Sequence, residues 1–450
     1  MSGADRRDAD VAIVGAGISG LHAARLLTTA GRDVVVLEGR DRIGGRTVSA
    51  PIGDGRQVEL GGQFIGPTHR RVAALLRELE IDTFPTYDDG RNLLDFDGSL
   101  RDYDGAIPPL GLPGLVGMGI AEWRLNRMAR QVSPHQPWAA RRAAEWDGTT
   151  FGAWLDQHGP GGRARTLLDL LAGTVWGAEP HELNLLQALA YASAAGGLRE
   201  TAGVKGGMQE RRIDGGPAQL CAALAARAGA LRLSTPVREI AHRRDDVELR
   251  ADGLVVRAAH AIVAVPPALV PQIAFEPALP AARDRVLRRL PSGRVTKVVC
   301  VYPEPFWRDR GLSGQAVSDG GPVGATFDNS PPDGRPGVLL GFVTGDRAAT
   351  FATLPEPDRR QLVTAQFARL FGAQAARPEQ YLERDWAADP FARGCYFGLA
   401  GPGAIGEAGT LLSQPLGRIH WAGAETTVAS YGGMDGAVLA GDRVAREVLG

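Results

Sequence analysis

The chain has 450 residues, of which 44% are hydrophobic, and its formal net charge is -1. This size allows roughly two to three domain-sized units, and the near-zero charge gives no support for a nucleic-acid groove or an anionic membrane partner. Three cysteines are too few to indicate a disulfide framework, which favours a reducing, cytoplasmic location. No signal-peptide core and no apolar run approaching ~20 residues is present, so a soluble protein is expected.

A glycine-rich turn lies between the first two predicted elements. The run "VAIVG" predicts a buried parallel strand, and "LHAARLLTTAG" predicts a helix that ends at Gly31. Gly15, Gly17 and Gly20 form G-x-G-x-x-G, a turn that lets a pyrophosphate approach the backbone at a helix N-terminus. The next strand, "DVVVLE", ends in Glu38, where an acid binds ribose hydroxyls. The pattern predicts a dinucleotide site, with an ordinary glycine-rich turn as the alternative.

Two arginines and a glycine pair follow Glu38 in "RDRIGGRT". Arg42, Gly45 and Arg46 suit contact with the pyrophosphate or a neighbouring ring, because guanidinium groups and bare backbone both accommodate phosphate oxygens. A basic surface turn is the alternative interpretation.

The remaining sequence predicts further strands and helices without an internal repeat. "QLCAALAARAG" predicts a helix, "LRLSTPVREIAHRRDDVELRADG" a hairpin-like strand pair, and "AAHAIVAVPP" a buried strand. "TLLDLLAGTVWG" and "RRQLVTAQFARLFG" predict amphipathic helices, and residues 417–449 predict a strand, a loop and a helix. Residues 107–123, interrupted by proline and glycine, predict a loop that enters a short helix.

Several longer motifs together resemble the flavin monoamine oxidase family. Besides the glycine turn and "RIGGR", they are "ELGGQFIGPTHRRV" (59–72), "WGAEPHELNLLQALAYASAAGG" (176–197), "GGMQERRIDGG" (206–216), "GRVTKVVCVYPEPFW" (293–307) and "RIHWAGAETTVASYGGMDGAVLAG" (418–441). They occur in the family's order and cover nearly the whole chain. The resemblance implies FAD rather than NAD as the cofactor.

The resemblance also implies the fold class, which is α/β with a Rossmann-like FAD-binding domain interleaved with an α+β substrate-binding domain. The FAD-binding domain is expected to comprise residues 1–85, 210–292 and 392–450, and the substrate-binding domain residues 86–209 and 293–391. The positions expected to contact FAD are Gly15, Gly17, Ile18, Ser19, Gly20, Glu38, Arg42, Gly45, Arg46, Gly62, Gln63, Phe64, Ile65, Val237, Trp386, Cys395, Glu425 and Met434.

Lysine is rare in this chain, because only Lys205 and Lys297 occur among 50 basic residues. In "RVTKVVCVY", Lys297 alternates with valines on one face of a predicted strand, and a buried ammonium needs a partner or water. The alternative is an edge-strand lysine that prevents strand pairing. By resemblance, Lys297 is the flavin-site lysine that holds a water near flavin N5, and its charge would stabilise negative charge as electrons pass to oxygen.

Cys395, in "RGCYFGLAGPG", lies in the segment that the resemblance places beside the flavin. Some family members bond a cysteine here to the 8α-methyl carbon of the isoalloxazine, and others hold FAD without a covalent bond. Since a thiolate is a competent nucleophile, the hypothesis is 8α-S-cysteinyl FAD at Cys395. A small buried hydrophobic residue beside non-covalent FAD is the alternative.

Two tyrosines and a glutamine are candidates for the substrate side. By resemblance, Tyr396 forms one wall of an aromatic cage for the amine. The usual opposite aromatic position is Gly433, with Tyr431 two residues earlier. The cage is therefore expected to be half open, or closed by Tyr431, and to suit a bulkier or secondary amine. Gln209 matches a glutamine that lines the substrate cavity, and a surface polar residue is the alternative.

The favoured function is FAD-dependent oxidation of an amine to an imine, and then to an aldehyde or ketone, with O2 reduced to H2O2. One alternative is a related flavoenzyme that desaturates a C–C or C–N bond in a natural-product or alkaloid pathway, and another is a flavin-containing binding protein without turnover. The histidines show no metal-ligand spacing, so no metal is expected. The expected partners are an amine and O2, with a homodimer left open.

Overall fold

A computed structural model describes residues 5–450. The strands are β1 (Asp5–Val14), β2 (Val34–Leu37), β3 (Ser49–Gly53), β4 (Arg56–Glu59), β5 (Phe64–Ile65), β6 (Thr83–Pro85), β7 (Arg91–Phe96), β8 (Ser99–Tyr103), β9 (Arg211–Ile213), β10 (Ala230–Arg232), β11 (Val237–His242), β12 (Val247–Ala251), β13 (Leu254–Val263), β14 (Ala274–Glu276), β15 (Val295–Tyr302), β16 (Leu312–Ser318), β17 (Ala325–Asp328), β18 (Gly337–Thr344), β19 (Gln380–Asp385) and β20 (Ile419–Trp421). The helices are α1 (Ile18–Thr29), α2 (Arg70–Glu78), α3 (Gly111–Ala129), α4 (Ala143–Asp147), α5 (Phe151–His158), α6 (Gly162–Trp176), α7 (Leu185–Ala195), α8 (Gly216–Ala225), α9 (Ala281–Arg288), α10 (Phe306–Asp309), α11 (Gly345–Ala352), α12 (Glu356–Phe371), α13 (Ala404–Ala408) and α14 (Met434–Leu449).

The first sheet has eight strands in the order β10-β2-β1-β13-β12-β11-β14, with β20 also pairing with β13. Strands β10, β2, β1, β13 and β20 are parallel, and Val14 pairs with Leu37 and with Val263. Residues of α1, α8 and α14 share one core cluster with β1 and β2. The carboxyl ends of the parallel strands meet at one edge, which is where open α/β sheets bind ligands.

The local predictions for this sheet are confirmed. Strand β1 contains the predicted run but begins earlier, at Asp5, because its pairing with β13 continues back to Leu254. Helix α1 is followed by Gly31 at φ 81°, and the Arg32 N–H donates to the Leu27 carbonyl at 3.0 Å, as in a Schellman cap. Within the predicted hairpin-like pair, β11 and β12 are antiparallel, whereas its first residues belong to β10, which pairs in parallel with β2.

The second large sheet has seven strands in the order β19-β15-β18-β17-β16-β7-β8. Strand β15 lies between β19 and β18, and all of its residues are buried. Its two faces enter different core clusters, with Val299 in one and Val298 in the other. The alternative of an edge-strand lysine at Lys297 is therefore wrong, because this strand has a neighbour on each side.

Helix α3 differs from the sequence prediction. A loop entering a short helix was expected over residues 107–123, but α3 has 19 residues. Pro113 lies in its first turn, where proline is tolerated, and Ala121 and Leu125 are buried in the core. Tertiary packing thus outweighs the glycines, although Trp123 stays 61% exposed. Among the helices of residues 5–450, none has both the length and the apolar character that crossing a bilayer requires.

The two large sheets draw on different parts of the chain. Strands of the first sheet fall within residues 5–85, 210–292 and 392–450, whereas those of the second fall within residues 86–209 and 293–391. The division into two domains itself stays a prediction.

Candidate active site

A cavity of about 320 Å³ begins at the carboxyl edge of the first sheet and reaches Phe327 and Phe342 of the second. The candidate residues that line it are Gly15, Gly17, Ile18, Ser19, Glu38, Gly45, Arg46, Gly62, Gln63, Phe64, Gln209, Val237, Cys395, Tyr396, Tyr431 and Met434. The candidates outside its lining are Gly20, Arg42, Ile65, Lys297, Trp386 and Glu425. The fold thus brings most of the candidate residues, which are spread over the sequence, to one cavity.

The three turn glycines have different environments. A Cβ on Gly15 would lie 2.8 Å from the Ala264 carbonyl oxygen, and one on Gly20 would lie 2.1 Å from the Gly15 oxygen. A Cβ on Gly17 would meet no atom within 4 Å. Gly15 and Gly20 are therefore required for backbone packing, whereas Gly17 leaves open space above the first turn of α1, where unpaired N–H groups favour phosphate.

Glu38 is fixed at the end of β2. Its Oε2 accepts a hydrogen bond from the Ala16 N–H at 2.7 Å, and its Oε1 accepts one from the Arg40 N–H at 3.0 Å. The carboxylate is buried and lines the cavity. Because an ionised carboxylate has about four lone-pair sites, Glu38 keeps acceptor capacity for a ligand hydroxyl.

Of the two arginines that directly follow Glu38, the cavity is lined by Arg40 and not by the predicted Arg42. Arg42 donates to the Gly45 carbonyl at 3.1 Å and stays outside the cavity lining. Arg40, which the sequence reasoning missed, lines the cavity and donates to Asp389 at 2.7 Å. Its position two residues after Glu38 is the sequence feature that could have indicated a place in the cavity lining. Contact between Arg42 and a cofactor stays a prediction.

Lys297 lies behind the cavity wall formed by Gln63. Its Nζ donates to the Gly61 carbonyl at 2.9 Å and to Gln63 Oε1, and it lies 5.9 Å from the centre of the Phe342 ring. The side chain is fully enclosed by protein. Burial lowers the pKa of Lys297 to about 7, with Arg212 adding to the effect and Glu59 opposing it. This ammonium is therefore close to losing its proton at neutral pH.

Two further candidates support this wall instead of lining the cavity. The Trp386 Nε1–H donates to the Leu60 carbonyl at 2.9 Å, directly before the glycines of "ELGGQF". Ile65 is buried in the core cluster below the first sheet. Both residues hold the segment that carries Gln63, and direct cofactor contact by either stays a prediction.

Cys395 lies on a tightly packed backbone segment. Gly394 has φ 126°, and a Cβ there would lie 2.4 Å from the Gly293 oxygen, so only glycine fits. The Cys395 N–H donates to the same oxygen at 2.9 Å, and the Cys395–Tyr396 peptide bond is cis. Burial raises the pKa of the thiol to about 12, against the opposing effect of the Arg46 and Lys297 cations. The thiol is thus held at the cavity wall with two cations nearby.

Arg46 and Glu425 form a bidentate ion pair. The Arg46 Nη1 and Nη2 groups donate to the two Glu425 oxygens at 2.5 and 2.9 Å, and Nη1 also donates to the Tyr396 carbonyl at 2.7 Å. Glu425 is almost completely buried and does not line the cavity. The pair therefore ties three distant chain segments together, a role that the sequence did not reveal.

Aromatic rings cluster around Tyr431 in the cavity lining. The Tyr431 hydroxyl donates to the Gly398 carbonyl at 2.8 Å, and its ring packs on Phe397 with centroids 5.2 Å apart. A Cβ on Gly432 would lie 2.1 Å from the Phe397 ring, so this glycine makes room for it. Phe397 and Tyr191, both missed by the sequence reasoning, line the cavity with Tyr396. The ring of Phe397 thus occupies space beside the glycines of "SYGGMDGA".

Gln209 also lines the cavity. Its Nε2 donates to the Thr201 carbonyl at 3.3 Å. Its Oε1 is buried and has no hydrogen-bond partner within residues 5–450. The alternative of a surface polar residue is not supported by this position, because a buried acceptor without a partner is costly unless a ligand satisfies it.

Comparison with known proteins identifies the family of this chain. Residues 18–449 match the family described as flavin containing amine oxidoreductase. A Mycobacterium tuberculosis protein named as a flavin-containing monoamine oxidase, AofH, is 42% identical over 440 residues, covering 98% of this chain and 96% of that protein. A putrescine oxidase structure bound to putrescine is 32% identical with a TM-score of 0.93, covering 99% of each chain. A cyclohexylamine oxidase structure from Brevibacterium oxydans IH-35A is 33% identical with a TM-score of 0.93, covering 98% of this chain and 99% of that one.

These matches extend over nearly the whole chain and include three separate proteins above 30% identity. They confirm the predicted resemblance and the α/β fold with its Rossmann-like sheet. The chain belongs to the flavin-containing amine oxidoreductase family.

Proposed function

We propose that this protein is an FAD-dependent amine oxidase that converts an amine to an imine and passes the electrons to O2, giving H2O2. The observation that carries the proposal is the single cavity that joins the glycine turn and Glu38 to Cys395 and Tyr396. Lys297 lies directly behind the wall of this cavity and donates a hydrogen bond to Gln63. Family membership supplies the cofactor class.

The residues present fit FAD. The open space above Gly17 and the first turn of α1 suit the pyrophosphate, and Glu38 suits the ribose hydroxyls. Gln63, Cys395 and Met434 would hold the ring system. When bound, FAD accepts the hydride equivalent from the carbon next to the amine nitrogen. The chain's own contribution is to orient the amine against aromatic faces, to exclude water and to hold the Lys297 charge nearby.

The amine end of the cavity favours an apolar substrate. Its rings include those of Phe64, Tyr191, Phe327, Phe342, Tyr396, Phe397 and Tyr431. Among the cavity residues of the described chain, Glu38 is the sole carboxylate, and it belongs to the glycine-turn end. A second ammonium group on the substrate would therefore find no counter-ion there, and burying an unpaired charge is costly.

The first test compares an arylalkyl monoamine with a diamine. We expect phenylethylamine to give a kcat/KM at least about tenfold above that of putrescine, since an unpaired ammonium costs more than ~1.4 kcal/mol. Peroxide release and anaerobic bleaching of the flavin are the two readouts. A higher kcat/KM for putrescine would contradict the apolar assignment, and a panel of amines that neither bleaches the flavin nor yields peroxide would refute oxidase function.

Bleaching without peroxide would point instead to the desaturase alternative, with an acceptor other than O2. The two readouts therefore separate the favoured function from its nearest rival. A flavin-free purified protein would exclude both.

We also propose that Cys395 forms the 8α-S-cysteinyl link to FAD. The bond would join the sulfur to the 8α-methyl carbon with loss of two protons, one from the thiol and one from the methyl group. The two electrons left over would reduce the flavin, and O2 would be the oxidant that takes them from it. The position of the thiol on the cavity wall supports this proposal, as do the Arg46 and Lys297 cations, which favour the thiolate.

Acid precipitation tests the link directly. We expect the yellow colour of the native protein to stay with the precipitated chain, and that of Cys395→Ala to stay in the supernatant. Cys221→Ala is a matched control, because Cys221 is a buried thiol outside the cavity lining. Release of all flavin from the unsubstituted protein would contradict the covalent link while leaving amine oxidation intact.

Other expectations from the sequence stay predictions. These are the domain boundaries, the homodimer and the cytoplasmic location. Sedimentation of the purified protein would test the homodimer.

A further inference from the structure

Three charged side chains are buried together behind the cavity wall. Lys297, Glu59 and Arg212 are 2%, 3% and 3% exposed, respectively. Arg212 Nη2 donates to Glu59 Oε2 at 2.8 Å. The cluster thus holds two cations and one carboxylate, so its charges do not balance.

Two neutral amides connect Lys297 to the carboxylate. Gln63 Oε1 accepts from the Lys297 ammonium, and Gln63 Nε2 donates to Asn329 Oδ1 at 2.5 Å. Asn329 Nδ2 in turn donates to Glu59 Oε2 at 3.1 Å. This chain of hydrogen bonds fixes the orientation of both amide groups. In each of them the oxygen accepts from the side of Lys297, and the nitrogen donates toward Glu59.

Arg212 and Lys297 compete unequally for this carboxylate. Arg212 contacts Glu59 directly, and its guanidinium does not deprotonate in proteins. The bonds of Lys297 go to uncharged oxygens of Gly61 and Gln63. Lys297 is therefore the member of the cluster whose charge can change.

We propose that Glu59 is a positioning residue that keeps Lys297 protonated and directed at Gln63, acting through Asn329, and that Arg212 opposes it. This inference rests on the proposed function, in which the Lys297 charge assists electron transfer to oxygen. Glu59 touches neither the cavity nor a reacting atom, so it acts on the reaction only through the lysine.

The charges around Lys297 are consistent with this assignment. Burial has the largest effect on the pKa of Lys297 and lowers it. Of the neighbouring charged groups, Glu59 and Cys395 raise this pKa and Arg212 lowers it. Burial raises the pKa of Glu59, but Arg212 and Lys297 outweigh this and lower it. Arg384 is the residue of β19 that pairs with Lys297 of β15. Its guanidinium donates a hydrogen bond to Asp389, so this cation has a carboxylate partner of its own.

Lysine NMR tests the inference on the FAD-loaded protein. With 13Cε-labelled lysine, the spectrum contains two side-chain signals, because Lys297 and the exposed Lys205 are the two lysines of the chain. We expect Glu59→Gln to lower the Lys297 titration midpoint by about one pH unit, and Arg212→Met to raise it by a similar amount. The two variants are expected to move the Lys297 midpoint in opposite directions. A general loss of structure would not do this, so the pair of variants shows whether the neighbouring charges set the midpoint.

A folded Glu59→Gln protein with an unchanged or raised midpoint would overturn the inference. If near-UV circular dichroism shows that Glu59→Gln or Arg212→Met does not fold, Asn329→Leu carries the test, because it removes the amide that connects Gln63 to Glu59 without adding a charge. The Lys297 midpoint must fall in this variant, and an unchanged midpoint would equally overturn the inference.

Stopped-flow reoxidation separates this inference from the proposed function. Reoxidation by O2 should be faster below the Lys297 midpoint and slow as pH rises through it, and this fall should move to lower pH in Glu59→Gln. A moved NMR midpoint with an unmoved reoxidation profile supports the role of Glu59 and contradicts the role of Lys297 in the oxygen step.

Discussion

Lys297→Met is expected to slow reoxidation of the reduced enzyme by O2 at least about a hundredfold, since one preorganised charge is worth about 10²–10³ in rate. Methionine keeps the length and burial of the side chain but removes the ammonium that donates to Gln63. Anaerobic reduction by the amine should change less than about tenfold, because the ammonium is outside the cavity lining. Stopped-flow absorbance of the flavin measures each half-reaction separately.

Lys205→Met is the matched control. Lys205 is exposed and does not line the cavity, so both half-reactions should keep their rates. Equal slowing of reduction and reoxidation in Lys297→Met would indicate a general disturbance of the site. Unchanged reoxidation would remove Lys297 from the oxygen step altogether.

Arg46→Met is expected to destabilise the protein by about 3–5 kcal/mol, because it leaves the Glu425 carboxylate buried without its cation. The loss includes the hydrogen bond to the Tyr396 carbonyl, which holds the cysteine-bearing segment. Urea unfolding followed by tryptophan fluorescence measures the change, and the flavin content of the purified protein should fall with it.

The double variant Arg46→Met, Glu425→Leu shows whether the lost stability comes from the unpaired Glu425 carboxylate or from lost packing. It should recover much of the stability, because replacing both members of a buried pair by apolar residues is often close to neutral. Arg142→Met breaks the exposed pair with Glu145 and should leave the unfolding midpoint near that of the native protein. Equal destabilisation in the single and double variants would show that lost packing and the lost Tyr396 hydrogen bond, and not the unpaired Glu425 carboxylate, cause the effect.

The parts of the fold that the sequence predicts are those whose signals are local. The glycine turn, α1 with Gly31 at its end, and Glu38 at the end of β2 follow from hydrophobic periodicity and capping. The alternation around Lys297 likewise predicts the two faces of β15. These features need no knowledge of the rest of the chain.

The features that the sequence did not predict depend on distant contacts. The Arg46–Glu425 pair joins residues 379 positions apart, and the Glu59–Arg212 pair joins residues 153 apart. The position of the Phe397 ring over Gly432 depends on how two loops meet. A single sequence carries the charges and volumes of these groups but not the partners that tertiary packing assigns to them.

The strand order of the first sheet determines how late in biosynthesis the cavity can be completed. Strand β1 is made first, yet its neighbour β13 follows about 240 residues later, and β20 pairs with β13 later still. Met434 and the other cavity residues near 430 are translated after both. A ribosome-bound chain therefore carries the glycine turn for most of its synthesis without the complete cavity around it, since that cavity requires the residues near 430.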